Sequence, residues 1–197
     1  MNMKLRPYIE AFQNLPHGID QAEAHLEEQM QRTVSVQDGK LASAQFFNKS
    51  AVYVRAAANG RTGIAYTENL NEEPAAVMRR AAENARAVSS SGGVSFTPPG
   101  LETPSLPGGP LEPPSLEELL QAAAQLEQEA RPLCGGARLA GCSLSYKRYA
   151  DEAANSLGLA VKSACGYYSL ECQVVCEQGG RSGGKRFVLL SESPNGF

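Results

Sequence analysis

The dipeptide Asn59-Gly60, set between two β-prone runs, constrains this chain more than any other feature. Ala51-Val52-Tyr53-Val54-Arg55-Ala56-Ala57-Ala58 leads into it, and Arg61-Thr62-Gly63-Ile64-Ala65-Tyr66-Thr67 leads out. Asn-Gly tolerates the positive φ angles of a two-residue hairpin turn, so the two runs pair as antiparallel strands. A helix follows at once. Asn71 or Glu73 can start it, and Pro74 sits in its first turn, where a missing N–H costs little. Met78, Ala81, Ala82, Ala85 and Val88 then fall on one face. Arg79, Arg80, Glu83 and Arg86 lie largely on the other, with Arg79–Glu83 and Glu83–Arg86 spaced to pair. This hairpin-helix stretch reads as scaffold, because it holds neither a nucleophile–base pair nor a metal-ligand cluster.

The flanking sequence extends the same design. Leu5, Tyr8, Ile9 and Phe12 have helical spacing, ended by Pro16 and Gly18. Asp20 to Glu28 alternates like a half-exposed strand, and Gln31 to Gln37 repeats the pattern with Val34 and Val36. Asp38-Gly39 is a second hairpin turn, from which Lys40 to Phe47 returns. These runs predict four or five mainly antiparallel strands between two helices, with the helices on one face of a single sheet. Ser89 to Pro114, rich in Pro, Gly and Ser, can sustain neither a helix nor a central strand and reads as a linker. Ser115-Leu116-Glu117-Glu118 is a capping box that opens a helix with the apolar stripe Leu116, Leu119, Leu120, Ala123, Leu126 and Ala130, stopped by Pro132. Ser143 to Ala154 predicts a strand or strand pair, and Asn155-Ser156-Leu157-Gly158 a turn. Leu159 to Ser163 and Tyr167 to Glu177 follow as extended runs. Gln178 to Gly184 reads as a flexible connection, and Lys185 to Ser191 as a strand that pairs back. The expected fold is α+β: a mainly antiparallel sheet with β-hairpins and flanking helices, followed by a second helix-plus-strands lobe. The expected organisation is a domain over 1–90, a linker over 91–114 and an incomplete second domain over 115–197.

Composition removes several classes of function. A net charge of −3 over 197 residues argues against a dominant nucleic-acid-binding surface. No apolar run approaches the roughly 20 residues that cross a bilayer. The N-terminal Met1 to Pro7 lacks the apolar segment of a signal peptide, so a soluble cytoplasmic protein is expected. The five cysteines, Cys134, Cys142, Cys165, Cys172 and Cys176, read as reduced thiols. Cys172 and Cys176 share a strand face with Tyr168, Leu170 and Val174. At about 3.3 Å per residue they would stand roughly 13 Å apart, too far for one zinc with ligands at about 2.3 Å. Buried core thiols are the expectation. Gly179-Gly180-Arg181-Ser182-Gly183-Gly184-Lys185-Arg186 lacks the order of a phosphate-binding loop and precedes no helix pattern, so it reads as a β-hairpin loop.

Several of these residues carry a resemblance. Val54-Arg55, then Asn59 through Leu70, then an Ala-rich helix, resembles the N-terminal region of the TldD/PmbA family of metallopeptidases, also called modulators of DNA gyrase. The capped helix after the linker and the Asn155-Ser156-Leu157-Gly158 turn extend the likeness, and Tyr168 to Cys172 leans toward the PmbA side. The resemblance implies a zinc site built on His-Glu-x-x-x-His, with the Glu as general base and a Cys from further along. Neither His17 nor His25 carries that motif. His25 is followed by Leu26-Glu27-Glu28-Gln29-Met30, and His17 lies in a Pro-His-Gly turn, so both read as surface residues. Family members run past Phe197, which makes a partial copy or a PmbA-type subunit the two expectations. No catalytic, metal-binding or cofactor-binding residue is therefore nominated, and the substrate-binding residues stay open. Zinc is expected only in a complete subunit or in a partner. The resemblance implies a non-catalytic portion that helps build a peptide channel and a subunit interface. Its partners would be a peptide or unfolded polypeptide, and a TldD-type subunit or a second copy. A self-contained peptide-binding module without enzymatic role is the alternative.

Overall fold

The computed structural model describes residues 3–87, 96–100, 112–178 and 181–197. Six strands, β1 (Gln21–Gln37), β2 (Lys40–Ala58), β3 (Arg61–Thr67), β4 (Arg138–Asn155), β5 (Ala160–Gln178) and β6 (Arg181–Ser191), accompany three helices, α1 (Arg6–Phe12), α2 (Pro74–Ala87) and α3 (Leu116–Ala130). The strands form one antiparallel sheet in the order β3-β2-β1-β4-β5-β6, and the fold class is α+β. Three strands run on through breaks in the side-chain pattern. β1 runs on through Gln29-Met30, β2 through Asn48-Lys49-Ser50, and β5 through Ala164 to Gly166. Polar side chains break an apolar alternation without removing any backbone donor, so ladders flanked on both sides continue across them.

The chain forms two compact units, each assembled from three stretches. The first comprises Met1–Glu28, Lys49–Leu106 and Ala150–Ala164, and the second Gln29–Asn48, Pro107–Tyr149 and Cys165–Phe197.

In the first unit, Asn59 (φ 52°) and Gly60 (φ 72°) make the two-residue turn that joins β2 to β3, in register from Ala58↔Arg61 to Val52↔Thr67. Val77, Met78, Ala81, Ala82 and Ala85 of α2 pack with Tyr8 and Phe12 of α1 on Ala22, Ala24, Leu26, Val54 and Ala56 of the strands. The approach of α2 to β3 is set by Gly63. A Cβ there would fall 2.1 Å from the Ala81 carbonyl oxygen and 2.2 Å from the Ala85 nitrogen. Small residues on the helix and no side chain on the strand bring the two backbones together. The cations of α2 bond backward rather than along the helix as predicted: Arg79 lies 3.5 Å from Glu73, and Arg80 bonds Glu72. Bonding to Arg80 and Thr67 holds the Glu72 carboxyl below its usual range. Within the stretch read as a linker, Phe96 is buried under the Arg55 guanidinium, 4.6 Å from the ring centre. Residues 88–95 and 101–111 of that stretch lie outside the described residues.

The turn Asn155-Ser156-Leu157-Gly158 belongs to the same unit. The buried Asn155 accepts the N–H groups of Leu157 and Leu159 at 3.0 and 3.1 Å and donates to the Thr97 carbonyl at 2.7 Å. Ser156 accepts the Ala22 N–H through Oγ at 3.1 Å and donates its own N–H to the Ala22 carbonyl at 2.9 Å. The turn thereby fixes where β4 ends beside β1.

In the second unit the capping box forms as read. Ser115 Oγ accepts the Glu118 N–H at 3.2 Å, and the Glu118 carboxylate accepts the Ser115 N–H at 2.7 Å. Leu119, Ala123 and Leu126 of α3 pack on Val34, Val36, Leu144, Tyr146, Tyr168 and Leu170. At Pro132 the helix tightens into a 3-10 turn over Arg131–Cys134.

Replacing Gly63 tests the helix–strand contact. Gly63→Ala should lose about 3 kcal/mol or more, because the new methyl meets backbone on the other side. Gly60→Ala, which meets nothing within 4 Å but keeps φ +72°, should lose only about 1–2 kcal/mol. Urea denaturation of both variants measures the difference, and equal losses would contradict the packing described.

Candidate functional site

The two ends of the sheet differ. At β3, side chains of α2 reach the carbonyls of the edge strand: Asn84 Nδ2 donates to Ile64 O at 2.8 Å and Arg80 Nη2 to Tyr66 O at 3.4 Å. In β3 these alternate carbonyls are already served by the helix. At the other end lies β6, and all of residues 181–190 are exposed. β6 pairs with β5 from Gln178↔Arg181 through Tyr168↔Ser191. The run read as a loop to Gly184 is thus a strand from Arg181 onward. Gly179 and Gly180, left between the paired residues, lie outside the described residues. Gly183 and Gly184 do not stop the pairing, because a strand at a sheet end needs backbone partners on one side only. Lys185 and Arg186 do not form an anion site. Lys185 lies over the Phe187 ring at 5.4 Å, and Arg186 bonds Glu171 at 2.6 Å. Phe187, Val188, Leu189 and Leu190 expose four successive apolar side chains on both faces of β6.

The inner face of β5 is held by α3. Tyr168 meets Tyr146 edge-on at 5.3 Å, and Leu170 closes the packed core. β5 continues past Leu170 to Gln178. There an apolar cavity of about 510 Å³ is walled by Leu126, Leu133, Leu170, Cys172, Val174 and Phe187. Leu133, 84% exposed, stands at its rim. This corrects the expectation of buried core thiols on that strand. Cys142 of β4 is buried, Cys172 is half-buried in the cavity wall, and Cys176 is exposed. Cys142 and Cys172 face each other with their sulfurs 3.9 Å apart.

One buried charge fixes this unit. Glu127, 2% exposed, accepts the backbone N–H groups of Asp38 and Gly39 at 2.9 and 2.7 Å. Arg131, one turn further along, donates to Glu127 at 2.9 Å and to the Asp38 carboxylate at 2.6 Å. The two N–H groups exposed by the positive φ of Asp38 (54°) and Gly39 (70°) form a small anion cradle, and Glu127 fills it. The apolar stripe of the sequence leaves Glu127 out, although it stands three residues before the helix end beside Leu126.

The residues do not fit the zinc that the resemblance implies. His17 is exposed in its turn. His25 stands on β1 between Glu27 (3.7 Å) and Asp151 (3.6 Å), at distances of ion pairs rather than of shared ligands. Among the described residues no three His, Cys, Asp or Glu side chains converge where a metal could sit. No described helix is long and apolar enough to cross a membrane, which leaves a β-barrel unaddressed.

Residues 22–89 match the profile of PmbA/TldA metallopeptidase domain 1. Over these residues the chain is similar to the first domain of the TldD/PmbA family. Solved structures extend the likeness of fold to nearly the whole chain. TldE from Thermococcus kodakarensis superposes with a TM-score of 0.78 at 19% identity over 98% of this chain and 44% of its own. A candidate modulator of DNA gyrase from Thermotoga maritima gives 0.75 at 18% identity, over 98% and 44%. A second candidate modulator, from Bacteroides thetaiotaomicron, gives 0.72 at 15% identity, over 96% and 44%. The chain therefore spans less than half the length of these proteins. No curated protein sequence matches it. The matched residues include Val54 to Leu70, which carry the resemblance.

Glu127→Ala should destabilise the protein by about 1–3 kcal/mol, since it removes the shared acceptor of two turn N–H groups and of Arg131. Glu127→Gln, which keeps one acceptor, should lose less. A chemical-denaturation series checks the order, and a Glu127→Ala variant as stable as the parent would contradict it.

Proposed function

We propose that this chain is a non-catalytic part of a TldD/PmbA-type metallopeptidase, and that it receives polypeptide in extended form along β6. The observation that carries the reading is the asymmetry of the sheet ends: helix α2 bonds the carbonyls of β3, while β6 stands exposed over residues 181–190. An extended chain added to such an edge gains main-chain hydrogen bonds with little demand on its sequence, which suits the processing of unfolded or leader-like peptides. Val174 and Phe187, in the wall of the adjacent apolar cavity, offer a place for one of its larger side chains. In this reading the zinc and its general base are supplied by a complete subunit or a TldD-type partner. The exposed Leu41, Phe46 and Phe47 of β2 serve the contact with that subunit.

Proline substitution tests the edge. Along an antiparallel edge strand, successive residues turn their N–H groups alternately toward the neighbour and away from it. Of Val188→Pro and Leu189→Pro, one therefore removes an N–H directed away from β5. That variant should keep its melting temperature and bind a reduced, alkylated polypeptide about tenfold more weakly. If the variant that keeps the parent's stability also keeps its affinity, polypeptide does not add along β6.

A further inference from the structure

Cys142 and Cys172 stand opposite each other on neighbouring strands. Their register follows from the turn between β4 and β5: the two cysteines lie equally far from Leu157 along the chain, as do Tyr146 and Tyr168, whose rings meet at 5.3 Å. Directly opposed residues of an antiparallel pair have Cα atoms about 4.5–5.5 Å apart, inside the range of about 4.4–6.8 Å that a disulfide spans. The sulfurs are 3.9 Å apart, so side-chain rotation with little backbone movement can close the bond. The two thiols are not equivalent. Cys142 is buried in the core of its unit, whereas Cys172 lines the cavity whose rim residues Leu133 and Phe187 are exposed. A small solute can reach one sulfur and not the other.

We propose that Cys142 and Cys172 form a reversible redox pair, with Cys172 as the sulfur attacked by a small hydroperoxide and Cys142 as the sulfur that resolves it. The electrostatics run the same way. The neighbouring Cys142 S–H holds the Cys172 thiol below its ordinary range, while Cys142 itself is pushed up by its bond to Cys172 and by burial. The thiolate is the reactive form, so Cys172 is the first to react. Its sulfur attacks one oxygen of the hydroperoxide and breaks the O–O bond. One alcohol or water leaves, and Cys172 becomes a sulfenic acid. The Cys142 sulfur then attacks the Cys172 sulfur, the S–O bond breaks, and the hydroxyl leaves as water with the Cys142 proton. Two thiols and one hydroperoxide give one disulfide, one alcohol or water, and one water. The new bond ties β4 to β5 beneath the cavity, and a dithiol reductant reverses it.

Treatment of the purified protein with hydrogen peroxide, followed by non-reducing peptide mapping, tests the pair directly. The expected result is loss of two of the five thiols, a cross-linked peptide joining residues 142 and 172, and recovery of both thiols with dithiothreitol. Cys172→Ala should keep its four remaining thiols under the same treatment. A parent protein that loses no thiol, that links Cys172 to Cys134 instead, or that stops at an over-oxidised Cys172 would overturn the proposal. So would a Cys172→Ala variant that still loses Cys142.

Discussion

The contact between Gly63 and the backbone of α2 decides what the first unit can be. An antiparallel sheet carries unpaired N–H and C=O groups at each end, and each end has to be paired, covered or left open. Here the missing side chain at Gly63 lets α2 settle against β3, with Ala81 and Ala85 at the point of approach. That position brings Asn84 and Arg80 within reach of the Ile64 and Tyr66 carbonyls. Helix packing and edge protection are one arrangement. A larger residue at position 63 would lift the helix and expose the edge together.

The second unit is organised by a charge rather than by a glycine. Glu127 sits in the apolar contact of α3 with β1 and β4, and its cost of burial is offset by two backbone N–H groups and Arg131. Those partners exist only when the Asp38-Gly39 turn has its left-handed conformation, so the helix register and the hairpin turn specify each other. With α3 anchored in this way, its Leu126 and Ala130 form one wall of the cavity and Leu170, Cys172 and Val174 of β5 another. Cys172 is half-buried in that wall, and β6 beside it is exposed over residues 181–190.

Much of this was legible in the chain. Asn59-Gly60, Asp38-Gly39, the Ser115–Glu118 capping box and the stripe Met78, Ala81, Ala82, Ala85 each state a local preference that the structure keeps. Strand lengths were not legible, because polar breaks such as Asn48 to Ser50 interrupt the alternation without interrupting the ladder. The pairing of β6 from Arg181 was hidden by glycines, which lower strand propensity but do not forbid an edge strand. Glu127 and the Cys142–Cys172 pair were missed for another reason. Each depends on residues far apart in sequence, and only the register around Leu157 or the orientation of a turn brings them together. That register was readable once the Asn155 to Gly158 turn was taken as the pivot of a hairpin.

Hydrogen exchange along β6 is the most direct measurement of whether polypeptide adds at this edge. The amides of Lys185 to Leu190 should fall into two alternating sets in the free protein, slow where they face β5 and fast where they face away. With an unfolded polypeptide bound, the fast set should become protected while β3 is unchanged. Protection that appears elsewhere and leaves the outward amides of β6 as fast as before would contradict the account.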